Sequence, residues 1–318
     1  MSTHKSVAKS ASIIGLGVFT SRMLGFIRDI VIANFFGTTL YAQAFVVAFR
    51  IPNLLRDFVG EGATNSAFVP VFSEYRLKSS KEEFWELASV VLSILVVVLA
   101  VITLLGIVFS PLIVRLIAPG FIVEVQKLQV TVFLNRLVFP YIFFIGLAAF
   151  CTGLLNTLKH FTVPAFASCL LNISLIVFVS IWKRDIAGLI LGVLVGGFLQ
   201  LAVQGVVLLK KGFKINLFKK WYHPGAVKIA SLIMPRLVSS SIYQFNIFVH
   251  TILASFSWIV GEGAVAALYF ANRLFQFPLA IFGIALSQAI LPSMSEDVVE
   301  GRIDDLKRKL SFGLRSTF

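Results

Sequence analysis

Arginine side chains stand inside two segments that are otherwise apolar enough to enter a lipid bilayer. Arg22 and Arg28 lie in the first segment, and Arg50 and Arg56 lie in the second, after a short turn at 37–39. A guanidinium at the centre of a bilayer costs on the order of 3 kcal/mol on insertion scales unless it faces protein, water or an anion. Because its planar fork of N–H donors suits phosphate oxygens, these residues predict an internal cavity that binds an anion.

Polar residues of the second segment share one helix face. Gln43, Arg50 and Asp57 recur at steps of seven, and Asn53 and Glu61 lie close to the same direction at about 100° per residue. This pattern predicts a polar stripe that faces the cavity.

The same arginines have a second interpretation as structural residues. They could extend to lipid headgroups or pair with Asp29, Asp57 and Glu61 as ties between helices. Extension to headgroups suits helix ends, whereas Arg28 and Arg56 stand well inside their segments. Both interpretations stay open at this point.

The composition is that of an integral membrane protein. Of 318 residues, 58% are hydrophobic and only 14% are charged, which lies far outside the range of soluble domains. About 20 apolar residues cross the hydrocarbon as a helix. The sequence therefore predicts an all-α polytopic membrane protein with about eight transmembrane helices. They lie near 10–36, 41–73, 87–115, 128–157, 162–182, 186–209, 229–257 and 263–294.

The sixth predicted span carries a small residue at every fourth position. These residues are Gly188, Gly192 and Gly196. A stripe of this kind lets a neighbouring membrane helix approach closely, so we expect the span to serve packing.

Basic residues collect in the loops on one side of the predicted spans. The side that includes the N-terminus holds Lys5, Lys9, Arg76, Lys78, Lys81, Lys159, Lys210, Lys211, Lys214, Lys219, Lys220, Lys228, Arg302, Lys307, Arg308 and Lys309. The opposite side holds Arg115, Lys127, Lys183 and Arg184. The positive-inside rule then predicts a cytoplasmic N-terminus. The net charge of +13 thus reflects the basic residues of the predicted cytoplasmic loops. We therefore expect no nucleic-acid partner.

A faint internal repeat divides the chain. Aligning residues 44–52 with 267–275 places Arg50 beside Arg273, and a nearly equal offset places Pro70 beside Pro292. An offset that spans six helices keeps both copies in the same orientation. We expect an N-terminal lobe of six helices and a basic loop at 1–220, and the start of a second lobe at 221–318.

The residues do not suggest an enzyme. Cys151 and Cys169 lie within spans and show no metal-type spacing. Enzymes that transfer lipid phosphates with a metal need clustered carboxylates to hold Mg²⁺, and Asp29, Asp57 and Glu61 are fewer than the nearby arginines. We expect no catalytic residue, no metal and no cofactor.

Several runs resemble a known family. They are SRMLGFIRD, FRIPNLLRDFVGEGATNSAFVPVFSEY, PYIFFIGLAAFCTGLLNTLKHFTVPAFA, ANRLFQFP and ALSQAILPSMS. Together they resemble the lipid II flippase family (MurJ/MviN) of the multidrug/oligosaccharidyl-lipid/polysaccharide exporter superfamily. Members have 14 helices in two lobes, so the chain resembles a truncated member with the first lobe and the opening of the second.

The resemblance implies a transporter of the bacterial cytoplasmic (inner) membrane that serves peptidoglycan and cell wall biogenesis. Its partners would be membrane lipids and lipid II, the undecaprenyl-pyrophosphate-linked precursor, which alternating access carries from the inner to the outer leaflet. The substrate-binding positions that match the family motifs are Arg22, Arg28, Arg56, Arg273, Asp29, Asn53 and Glu61. Acids that many members carry are replaced here by Gln43, Asn272 and Gln276, which leaves the use of a coupling ion or the membrane potential open.

Two alternatives accompany this interpretation. One is a multidrug, cation or other lipid-linked oligosaccharide exporter of the same superfamily, although a cation exporter should have an acidic cavity. The other is a non-transporting membrane scaffold in which the arginines only anchor partner helices.

The predicted orientation can be tested by cysteine labelling. We expect a cysteine placed at Asn216, in the basic loop on the predicted cytoplasmic side, to resist a membrane-impermeant thiol reagent in intact cells. A cysteine at Lys183, on the opposite side, is the matched control and should react. Labelling at position 216 without labelling at position 183 would show that the orientation is the opposite of the predicted one.

Overall fold

The computed structural model describes residues 2–57, 66–278, 294 and 302–317, and these ranges contain helices and turns but no strand. The helices are α1 (Ser2–Phe36), α2 (Leu40–Ala48), α3 (Arg50–Asp57), α4 (Val69–Lys78), α5 (Lys81–Val108), α6 (Ser110–Ile117), α7 (Val125–Val138), α8 (Tyr141–Thr157), α9 (Thr162–Trp182), α10 (Ile186–Lys210), α11 (Pro224–Ala254), α12 (Ser257–Val260), α13 (Ala264–Pro278) and α14 (Ile303–Thr317). A 3-10 helix at Pro119–Ile122 lies between α6 and α7. The predicted all-α class is confirmed.

Within the described ranges, four helical stretches are long and apolar enough to cross a membrane. They are α5, the consecutive pair α7 and α8, α9 and α10. Along α5, Val101, Leu104 and Val108 are exposed, while Leu87 and Val91 are buried. An exposed aliphatic face on a helix of this length suits contact with lipid.

The second predicted span, near 41–73, is interrupted. A helix ends at Ala48, the next begins at Arg50 and ends at Asp57, and residues 58–65 lie outside the described ranges. Pro52 accounts for the bend, because proline lacks the N–H that would bond to the carbonyl four residues earlier. The spans predicted near 87–115 and 128–157 are likewise divided, next to Pro111 and Pro140.

A side chain replaces the hydrogen bond that Pro52 removes. The carbonyl of Ala48 accepts a hydrogen bond of 2.9 Å from Nδ2 of Asn135 on α7, and both residues are fully buried. The hydroxyl of Ser110 lies 2.7 Å from Oδ1 of Asn135 and orients the amide. The carbonyl left without a donor at the break is thus hydrogen-bonded by a neighbouring helix, as a buried backbone group requires.

α9 and α10 pack closely through glycines, as the sequence predicts. A Cβ added at Gly192 would lie 2.9 Å from Cα of Leu175, and one added at Gly196 would lie 2.8 Å from Cα of Leu171. Any larger residue would push the two helices apart, so the expectation for this stripe is confirmed.

An aromatic cluster forms the core around α4, α5 and α8. Phe72 makes edge contacts with Phe84 and Phe150 at centroid distances of 6.2 and 6.1 Å, and Phe150 also contacts Phe68 and Phe213. All five rings are buried. Because Phe213 lies beyond α10, the cluster anchors the segment that leads to α11.

The chain divides into two compact units, Met1–Ala267 and Leu268–Phe318. Within the first unit, α11 is tied to α4 by an ion pair of 2.6 Å between Lys228 and Glu74. The hydrogen bond and charge of Lys228 lower the pKa of the Glu74 carboxyl, although both side chains are exposed. The predicted division into lobes at 1–220 and 221–318 stays a prediction.

Asn135 and Pro52 should be energetically coupled. Asn135→Ala leaves the buried carbonyl of Ala48 without a donor, which should cost about 1–3 kcal/mol of stability. In a Pro52→Ala background the restored amide can donate to that carbonyl, so the same substitution should cost less. Thermal unfolding of the purified protein and the three variants measures this cycle, and equal costs in both backgrounds would contradict the replacement.

Candidate functional site

Arg28 is the most deeply buried of the predicted site arginines whose surroundings the structure describes. It lies on α1 with 7% of its surface exposed. Its Nε and Nη2 donate to Oδ1 of Asp29 at 3.0 and 2.7 Å, and its Nη1 donates to Oδ1 of Asn172 at 3.0 Å. A buried guanidinium needs such partners because desolvation of an unpaired charge is costly.

Asn172 connects this arginine to the neighbouring helix. While Oδ1 accepts from Arg28, Nδ2 donates to the backbone carbonyl of Ser21 at 3.0 Å. Ser21 and Arg28 are seven residues apart and share one face of α1, and that face packs against α9. Sequence reasoning missed this residue, and its only signal is an amide within an apolar span.

The remaining predicted residues on the first helices differ in exposure. Arg22 is exposed, since it lies about 120° around α1 from Arg28. Asn53 and Arg56 are half-buried on α3, and Glu61 lies outside the described residues. The structure therefore brings Arg28 and Asp29 into direct contact, whereas convergence of Arg28 and Arg56 on one cavity stays a prediction.

Arg273 belongs to the second compact unit, on α13. Its guanidinium lies 5.3 Å from the ring centroid of Tyr269, and Nη1 is 3.4 Å from Oε1 of Gln276. Stacking on an aromatic ring leaves the edge of the guanidinium able to donate hydrogen bonds. The predicted meeting of Arg273 with the arginines of α1 and α3 stays a prediction.

A second buried cation joins the start of α7 to the segment around α12. Lys127 is 1% exposed, and its Nζ lies 3.0 Å from Oε1 of Glu124 and 3.5 Å from Oε2 of Glu262. The hydroxyl of Ser257 also donates to Glu124, at 3.0 Å. We call Glu124, Lys127, Ser257 and Glu262 the α7–α12 cluster. It was not predicted, because its three charged members come from two predicted loops that are far apart in sequence.

A close backbone contact stands beside the α7–α12 cluster. The amide of Gly120 donates to Oγ of Ser255 at 3.0 Å. A Cβ added at Gly120 would lie 2.1 Å from the carbonyl oxygen of Ser255, so only glycine permits the approach. Polar and steric contacts together hold the two segments against each other.

His, Cys, Asp and Glu side chains are scattered in the part of the chain that the structure describes. No group of three or more His, Cys, Asp and Glu side chains there could hold a metal ion. The two cysteines, Cys151 and Cys169, are buried and form no disulfide bond. The candidate site consists of arginine, amide and carboxylate groups, which can bind an anion or hold helices together.

Comparison with known proteins relates this arrangement to one family. A family model described as lipid II flippase MurJ matches residues 32–318. The chain is 34% identical over 316 residues to a probable lipid II flippase MurJ of Buchnera aphidicola subsp. Schizaphis graminum, covering 98% of this chain and 60% of that protein. It is 37% identical over 306 residues to the lipid II flippase MurJ of Burkholderia cenocepacia, covering 94% and 59%.

A solved structure shares the fold. It is described as lipid II flippase MurJ in an inward closed conformation, and it matches with a TM-score of 0.78 and 27% identity over 96% of this chain and 62% of that chain. The chain spans about 60% of the length of the curated relatives it matches. Because the family model covers most of the chain, the protein belongs to the lipid II flippase MurJ family.

Proposed function

We propose that this chain carries lipid II, the undecaprenyl-pyrophosphate-linked peptidoglycan precursor, from the inner to the outer leaflet of the bacterial cytoplasmic membrane. Its membership of the family and the printed names of its relatives support this proposal. So do the four helical stretches, among the residues that the structure describes, that are long and apolar enough to cross a membrane. The activity is transport, so the site needs to bind and release its ligand without covalent chemistry.

The buried Arg28 is the observation that carries the proposal. It is one of the seven proposed substrate-binding residues, which are Arg22, Arg28, Arg56, Arg273, Asp29, Asn53 and Glu61, and the arginines among them would bind the pyrophosphate. In the structure its donors are directed to Asp29 and Asn172. A pyrophosphate would replace the Asp29 carboxylate as the acceptor of the hydrogen bonds from Arg28. Its two phosphoryl groups offer more acceptor oxygens than one carboxylate does. The ion pair with Asp29 would neutralise the buried charge of Arg28 between transport events.

The same ion pair also favours a second candidate, a membrane scaffold. Arg28, Asp29 and Asn172 would then act only to tie α1 to α9. The two functions differ in what the loss of an arginine does. A scaffold loses folded protein, because removing one partner of a buried pair costs about 3–5 kcal/mol, whereas a transporter loses transport per folded molecule.

The α7–α12 cluster could close the outer end of the proposed transport pathway by side-chain contacts. Under the predicted orientation it lies on the outer side, with Lys127 close to the carboxylates of Glu124 and Glu262. Alternating access needs a contact that holds this end shut while the inner end is open. Side-chain ion pairs suit that role, since they can break without disturbing the helices.

Arginine substitutions should separate transport from folding. In the native protein, Arg28→Ala, Arg56→Ala and Arg273→Ala should each reduce lipid II transport per folded molecule by about tenfold or more, because charge-assisted hydrogen bonds to the pyrophosphate are lost. The corresponding Lys variants keep the charge and lose the fork, so they should be intermediate. Transport in cells depleted of their own flippase, divided by the amount of folded protein, measures the effect.

Arg115→Ala is the matched control, because Arg115 is an exposed arginine of the predicted outer side. This variant should transport lipid II normally. If the three Ala variants transport normally once corrected for their amount, the arginines are scaffold residues. Arg28 would then keep only the structural role that its ion pair supports.

Lys127→Met should loosen the closed end. We place a single reporter cysteine at Thr131, which is fully buried one turn after Lys127, in a background without Cys151 and Cys169. Loss of the contacts to Glu124 and Glu262 should raise its labelling by an impermeant reagent severalfold. Lys183→Met removes an exposed lysine from the same predicted side and should leave labelling unchanged. Equal labelling in both variants would show that the α7–α12 cluster does not control access.

A further inference from the structure

A basic pocket lies where α5 begins, against the segment at 211–223 that joins α10 to α11, which we call the α10–α11 linker. The pocket has a volume of about 480 Å³, within the roughly 300–1,000 Å³ of small-molecule sites. Four lysines, Lys81, Lys214, Lys219 and Lys220, line it together with Trp85. None of these residues belongs to the proposed lipid II site.

Three of the four lysines have no carboxylate partner among the residues that the structure describes. Lys220 pairs with Glu86 at 2.7 Å. Lys81, Lys214 and Lys219 are exposed and make no ion pair with any residue that the structure describes. Glu82 is the other acidic residue in the lining, so the pocket has a cationic surplus and attracts an anion.

The α10–α11 linker is held in place. Phe213 is buried in the aromatic cluster, and the amide of Phe218 donates to Oγ of Ser93 on α5 at 3.0 Å. The ion pair of Lys220 with Glu86 adds a third attachment. The backbone that carries Lys214 and Lys219 is thus held in place before a ligand arrives, which lowers the entropic cost of binding.

The linker also exposes apolar and aromatic side chains between its lysines. Ile215 and Phe218 are exposed, Trp221 is 55% exposed, and Tyr222 is 73% exposed. Lysines interleaved with exposed Trp, Tyr and aliphatic residues are typical of a segment at the boundary between headgroups and acyl chains. The first turns of α5, which enters the membrane here, stand at the same boundary.

Trp85 adds an unused donor. Its indole N–H is buried and makes no hydrogen bond to any group in the described part of the chain. A buried donor without an acceptor is unfavourable. An oxygen-rich ligand in the adjoining pocket would offer one.

We infer that this pocket binds the phosphate-bearing headgroup of an anionic phospholipid from the cytoplasmic leaflet. The lysines attract the phosphate, and the exposed aromatic residues receive the start of the acyl chains. A soluble phosphate compound would use the lysines but gain nothing from Ile215, Trp221 or Tyr222. The inference relies on the predicted orientation, and it does not depend on lipid II being the substrate.

Lipid titration of the purified full chain, followed by native mass spectrometry, tests the inference. Phosphatidylglycerol should bind more tightly than phosphatidylcholine with the same acyl chains. Lys214→Gln with Lys219→Gln should weaken phosphatidylglycerol binding by about tenfold or more. Lys159→Gln with Lys210→Gln removes the same charge from exposed lysines outside the pocket and should change binding by less than about twofold.

Three results would overturn the assignment. Equal binding of the two lipids would exclude headgroup selection, and an equal loss in both double variants would indicate only general charge attraction. Displacement of phosphatidylglycerol by inorganic phosphate at matched concentration would assign the pocket to a soluble ligand. Because all four substituted lysines are exposed, thermal unfolding should be unchanged, which separates lost binding from lost folding.

Discussion

A backbone carbonyl in hydrocarbon must have a hydrogen-bond donor, and the bends of this protein depend on how that requirement is met. Pro52 removes the donor for Ala48, and Asn135 supplies another from α7. Ser110, next to the break between α5 and α6, then fixes the orientation of the Asn135 amide. Asn135 is thus a polar side chain within an apolar helix that serves a proline break in the neighbouring helix. The bent second helix, which carries Asn53 and Arg56, is held in position by this network.

Local patterns predicted the class of structure and part of the packing. Apolar runs of sufficient length predicted a helical membrane protein, and the glycine stripe of α10 predicted a close neighbour. Pro52 and Pro111 indicated bends in these spans, but the exact interruptions at Phe49 and Phe109 were not predicted, because an apolar run continues through a bend without a change in composition. Proline marks where a bend is possible. Which neighbouring helix supplies the replacement hydrogen bond depends on the tertiary fold.

The candidate site was predictable to a similar extent. Charge within an apolar segment was sufficient to select Arg28 and Asp29, which the structure places in contact. The third member, Asn172, is far away in sequence and depends on α9 packing beside α1. The α7–α12 cluster was missed for the same reason, since Lys127 and Glu262 meet only after the chain has folded. Pairings within one helix can be inferred from spacing, whereas pairings between helices need the fold.

A buried cation needs a carboxylate partner, whereas an exposed cation can be stable with or without one. Arg28 and Lys127 are both almost fully buried, and each contacts a carboxylate within 3.0 Å, because an unpaired charge cannot be accommodated there. Lys81, Lys214 and Lys219 lie at the aqueous boundary, where water and lipid headgroups can serve as partners and internal carboxylates are not needed. A buried arginine therefore binds an anion only by exchanging one partner for another, while a boundary lysine can bind one directly. The first arrangement suits a ligand that must be released, and the second suits a lipid that stays.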